Sequence, residues 1–136
     1  MIQKINFRFA INALLVLSSS TIPFHLLVLA GVIPYGIVWG GRLDNTQQML
    51  VFEMISISIN LFIIAVILMK GRYIKNFLSE KIITSILWAM TVTFALNTIG
   101  NIFSMATIET IIFTPVTFFS SILFYRLARE EKIQKK

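Results

Sequence analysis

IITSILWAMTVTFALNTIGNIFSMATIETIIFTPVTFFSSILFY, residues 82–125, carries a single charged side chain, Glu109. A helix crossing the ~30 Å hydrocarbon core of a bilayer takes about 20 residues at about 1.5 Å each. The run is therefore about two spans and a turn long, and it reads as a helical hairpin that only lipid can solvate. Its least apolar short break, Ser104-Met105-Ala106-Thr107, places the turn. Glu109 then falls in the first turn of the last helix, where a carboxylate complements the helix dipole. Pro115 predicts a kink in that helix.

Upstream of the hairpin, residues 49–69 form a cleaner span whose one charge is Glu53. Asp44 with Gln47, or Asn45 with Gln48, offers capping-box chemistry at its start. Lys70 and Gly71 supply a cation in the last turn and a glycine just beyond it, as helix C-termini prefer. Further upstream, residues 9–41 are uncharged apart from His25, too long for one span and too short for two. This stretch predicts a helix over 6–33, bent at Pro23, followed by an irregular loop over 34–48. Tyr35 and Trp39 in that loop suit the headgroup level. Lys4, Arg8 and the apolar run after them have the order of a secretory signal. The apolar stretch continues past any cleavage zone, however, so retention as an anchor is expected.

The whole chain then reads as one all-α transmembrane domain, a bundle of four helices with spans at 6–33, 49–69, 82–104 and 107–126. A basic loop covers 70–81 and a tail covers 127–136. Composition agrees. Of the 136 residues 57% are hydrophobic and 13% charged, about half the charge of a soluble domain, and mean hydropathy is +0.83.

Charge placement orients the bundle. Lys4 and Arg8, then Lys70, Arg72, Lys75 and Lys81, then Arg126, Arg129, Lys132, Lys135 and Lys136 fall on one side of this topology, leaving only Arg42 on the other. The positive-inside rule makes the first side cytoplasmic, with both termini inside the cell membrane's inner face. The net charge of +6 is accordingly membrane-orienting, and no basic soluble surface for nucleic acid is expected. The tail should extend the last helix, with Glu131 and Lys135 an i,i+4 pair. There is no cysteine and one histidine, which excludes disulfides, thiolate chemistry and a poly-histidine metal or haem site; no cofactor is expected.

Polar residues inside spans mark candidate sites, since an ionisable group there costs at least ~2.5 kcal/mol on insertion scales and must face protein or water. His25, Glu53 and Glu109 all fall in the outer half, near Arg42 and Asp44. Glu53, Ser56 and Asn60 share one helix face; Thr93, Asn97, Gly100, Asn101 and Ser104 share another; Thr110, Thr114, Thr117 and Ser121 a third. With the serine run Ser18–Ser20 and His25 of the first helix as the fourth, polar stripes turned to a common centre make a site of His25, Arg42, Glu53, Asn97, Asn101 and Glu109, with Asn60 deeper. Small and polar stripes also serve as packing seams between membrane helices. Gly36 and Gly40 match a dimerisation spacing at the membrane rim.

Two functions follow. In the first, the bundle binds, or moves, a small ligand, lipid or ion in its outer half: Glu53 supplies charge or a proton, His25 partners it, the asparagines orient the ligand, and Arg42 holds an anionic group. In the second, the chain is a non-catalytic accessory or self-assembling subunit whose partners are its own copies or another membrane protein. A membrane-embedded lipid-modifying enzyme is the remote third, because no nucleophile or metal motif accompanies the two acids and one histidine.

Overall fold

In a computed structural model of the chain, residues 5–105, 107 and 109–130 are described, Glu109 by its backbone alone. The protein is all-helical: α1 (Phe7–Leu29), α2 (Thr46–Lys70), α3 (Glu80–Ile102) and α4 (Thr114–Ala128), the last preceded by a π-helical segment at Glu109–Phe113. Four helices are long and apolar enough to cross a membrane. Two short 3₁₀ turns, Tyr35–Ile37 and Trp39–Gly41, shape the α1–α2 loop.

The ends follow from local chemistry. Asn6 caps α1, its side chain accepting from the amides of Arg8 (2.8 Å) and Phe9 (3.2 Å). The helix stops at Leu29, short of the expected Ile33. Gly31 takes a left-handed φ of 74°, the Val32 amide bonds the Leu27 carbonyl, and the Gly31 amide bonds that of Val28. These are the paired bonds of a Schellman motif, which needs a glycine at that point. At the start of α2 the Asn45 side chain accepts from the Gln48 amide (2.9 Å), while the Gln48 side chain reaches back to Asp44 (3.0 Å), one residue beyond a standard capping box.

The α2 terminus reverses the expected use of glycine. Gly71 has an ordinary helical φ of −73°, and Arg72 takes the left-handed position at 59°. What requires glycine at 71 is proximity. A Cβ there would lie 3.1 Å from Ile11 Cγ2 and 3.0 Å from the Tyr73 ring. Pro115 sits in the first turn of α4, directly after the segment in which the chain leaves α for π register.

Up-down-up-down topology gathers the basic groups at one end, where they tie the chain together. Arg8 donates to the Gly71 carbonyl (2.7 Å), Arg126 to the Ile5 carbonyl (2.8 Å), and Lys70 to the Glu130 carbonyl (3.2 Å). The expected Glu131–Lys135 pair lies outside the described residues; Arg126 and Glu130 form an i,i+4 ion pair instead. At this end all four helices meet in one core, including Ile11, Leu14, Ile67, Ile83, Leu87 and Phe124. Toward the other end the bundle is held as pairs. α3 and α4 pack most closely, α1 lies between α2 and α4, and α2 barely touches α3. A second, smaller cluster of Val28, Val38, Leu43 and Met49 seats the α1–α2 loop.

Candidate functional site

Glu53 follows Met49 by one turn on the buried face of α2 and is itself fully buried. Each carboxylate oxygen has its own partner. His25 Nδ1, from α1, lies 2.5 Å from Oε2, and the Trp39 indole Nε1, from the loop, donates to Oε1 at 2.9 Å. The imidazole side chain is 17% exposed, so one face of the pair approaches the surface. Aromatic rings enclose the arrangement: Trp39 stands edge-on to Phe52 at 5.0 Å, and Phe24 stands edge-on to His25 at 5.7 Å and to Phe113 of the π segment at 5.0 Å.

The loop that delivers the indole has an uncommon backbone. Trp39 holds a left-handed φ of 55°, a conformation that costs a residue with a Cβ about 1–2 kcal/mol, and Gly40 follows at 70°. Arg42 is exposed, and its side chain lies against Gly40, where a Cβ would come within 3.3 Å of Nε. Among the described residues Arg42 forms no ion pair; those present are His25–Glu53 and Arg126–Glu130.

Asn60, Asn97 and Asn101 do not join Glu53. Asn60 donates to the Thr21 hydroxyl, bridging α2 to α1. Asn101 belongs to the α3–α4 pair: its side chain reaches the Thr117 hydroxyl at 3.4 Å and its carbonyl accepts from Thr110 at 3.0 Å. Asn97 is exposed, and the buried polar position on α3 is its neighbour Thr98, bonded to Thr117 at 3.0 Å. The inward face of α3 runs through Ile83, Leu87, Phe94 and Thr98, which turns Asn97 about 100° away. The Glu109 side chain lies outside the described residues. The four polar stripes therefore divide into two seams. One joins α1 to α2 through His25–Glu53 and Thr21–Asn60; the other joins α3 to α4 through Thr98–Thr117, Asn101 and the Ser121 bond to the Thr91 carbonyl (2.9 Å).

No family model, curated protein or solved structure matches the chain. The chemistry of the site must be argued from its atoms. A carboxylate bonded to an imidazole can hold the shared proton on either partner, and the indole N–H satisfies the second oxygen in both cases. Sequence reasoning placed Trp39 at the membrane rim and missed this contact. The signal was present: a buried carboxylate needs more than one donor, and the Trp39-Gly40-Gly41 step permits the turn that brings one.

The two seams predict unequal responses to removal of an amide. Asn60→Leu should lower stability by about 0.6 kcal/mol, the average for a hydrogen bond between membrane helices. Asn97→Leu should leave it unchanged or raise it. Thermal unfolding of both variants in nanodiscs measures the difference, and equal losses would contradict the assignment of faces.

Proposed function

We propose that this chain is a four-helix protein of the cytoplasmic membrane, its basic end and both termini facing the cytoplasm, which binds a small ligand, lipid or ion at Glu53 in the outer half. Lipid solvates the apolar outer faces, where Phe9, Leu96 and Phe119 are exposed. Arg8, Lys70, Lys81 and Arg126 mark one end of the bundle and Arg42 the other, the asymmetry the positive-inside rule reads. One observation carries the binding function. Glu53 is fully buried, with its two oxygens held from two different elements. Aliphatic side chains of similar volume generally pack as stably as a buried ion pair, or more so, and an intramembrane ionisable group marks a working site.

Native mass spectrometry of the protein released from nanodiscs tests this. Wild type should retain a small molecule or lipid in stoichiometric amount. Glu53→Gln should lose it with expression unchanged, and undiminished retention would overturn the proposal. Because the chain has no cysteine, orientation is checked with single substitutions. Asp44→Cys should react with an impermeant thiol reagent from outside the cell and Lys75→Cys only after lysis.

A second function, an accessory or self-assembling subunit, draws support from the seams, since Thr21–Asn60 and Thr98–Thr117 hold helix to helix. It predicts reduced abundance or assembly for Glu53→Gln and no retained molecule in wild type.

A further inference from the structure

We propose that the group bound at this site is a primary ammonium, received at Glu53 Oε1 in place of the Trp39 indole, which acts as a lid; this rests on Glu53 being a binding group. The two partners of the carboxylate differ in kind. His25 stands on α1. Trp39 stands on the irregular loop, in a left-handed conformation, with Gly40 and Gly41 both at φ 70° after it. Trp39 is 37% exposed, yet its indole N–H reaches a carboxylate on a fully buried residue. The ring therefore extends from the protein surface to Oε1, and swinging it aside opens that oxygen.

Whatever takes its place must donate a hydrogen bond. An N⁺–H donor brings a full positive charge to its hydrogen bond with a carboxylate, which a neutral N–H does not, so an ammonium displaces the indole where a neutral ligand does not. A quaternary ammonium has no hydrogen to give Oε1, and an anion is repelled. Phe52, edge-on to the indole at 5.0 Å, remains as a wall beside the opened oxygen. The ammonium has two sources, a lipid headgroup or a free amine. Arg42, exposed on the same loop with its side chain against Gly40, is the cation available to a phosphate carried beside the ammonium.

The test uses the full chain with Trp88→Phe, which leaves Trp39 the sole tryptophan, in nanodiscs of phosphatidylcholine and phosphatidylglycerol. Ethanolamine is titrated in one arm and phosphatidylethanolamine is exchanged in during the other. In at least one arm Trp39 emission should shift to the red saturably and become more open to an aqueous quencher. Glu53→Gln should abolish the response, and native mass spectrometry should show that ammonium species retained over the choline lipid. A response to the lipid alone assigns the headgroup, and one to ethanolamine alone assigns a free amine. Trp39→Phe, read by mass spectrometry, should tighten ammonium binding several-fold, because the competing donor is gone; weaker binding would overturn the lid. No response in either arm, with another molecule still retained through Glu53, overturns the ammonium and leaves the binding site standing. Loss of all Glu53-dependent retention overturns both.

Discussion

His25→Ala is expected to lower the stability of the bundle by about 3–5 kcal/mol, the usual cost of removing one partner from a buried charge pair. The carboxylate would keep the Trp39 N–H on Oε1 and lose its partner on Oε2, in a position with no exposed surface. The penalty belongs to the stranded carboxylate and not to the imidazole. His25→Leu combined with Glu53→Met should therefore recover most of the loss, to within about 1 kcal/mol of wild type, since apolar replacement of a buried pair is often neutral or stabilising. Reversible unfolding in bilayer mimetics measures the three free energies. A double variant no more stable than His25→Ala would mean that the loss does not come from a stranded carboxylate, contrary to the 2.5 Å contact between the two side chains.

The second large effect belongs to the opposite end. Phe124 is 1% exposed, its ring lies 5.1 Å from that of Phe94, and it sits in the core where all four helices meet. Phe124→Ala should cost about 3 kcal/mol, the low end for such truncations in cores. The low end applies because, in the proposed bilayer setting, the lipid that would surround the side chain when helices separate is as apolar as the core; what is lost is packing. Phe119→Ala, at a ring 59% exposed on the same helix, should change stability by less than about 0.5 kcal/mol. Thermal unfolding of the pair in one lipid composition gives the comparison. Similar losses would contradict the placement of the core at the basic end.

The fold was largely legible because long apolar runs impose coarse, additive requirements on the number and length of helices. The run over 82–125 had to be two helices whatever its details, and of the turn expected at Ser104–Thr107, Ser104 and Met105 lie outside any helix, just past the end of α3. Helix ends were less legible where one glycine decided them. Gly31 stops α1 through its left-handed conformation, whereas Gly71, in the position that looked equivalent, serves close packing on Ile11. The pairing of His25 with Glu53 could be anticipated, since an antiparallel α1–α2 hairpin brings both to the same depth and neither tolerates lipid.

The surroundings of the pair could not be anticipated. Helical spacing groups Asn97 with Gly100 and Asn101, but only tertiary packing selects which part of a broad polar stripe turns inward, and α3 turns Thr98. The expectation of one shared polar centre assumed equal contact around the bundle. With α2 and α3 nearly apart, the bonded stripe residues pair within their own hairpin, α1 with α2 and α3 with α4. Trp39 was hidden because its role depends on loop geometry at three consecutive left-handed residues, Trp39, Gly40 and Gly41, which no periodicity encodes.

The clasp on Glu53 is most directly observed by ¹⁵N–¹H spectroscopy of the imidazole and indole groups in nanodiscs. A hydrogen-bonded His25 Nδ1–H and a downfield Trp39 Nε1–H should both be present in wild type and should both move in Glu53→Gln, while the Trp88 indole signal stays in place. A Trp39 signal that does not move on that substitution, or a His25 ring that exchanges freely with solvent, would contradict the arrangement on which the proposed site depends.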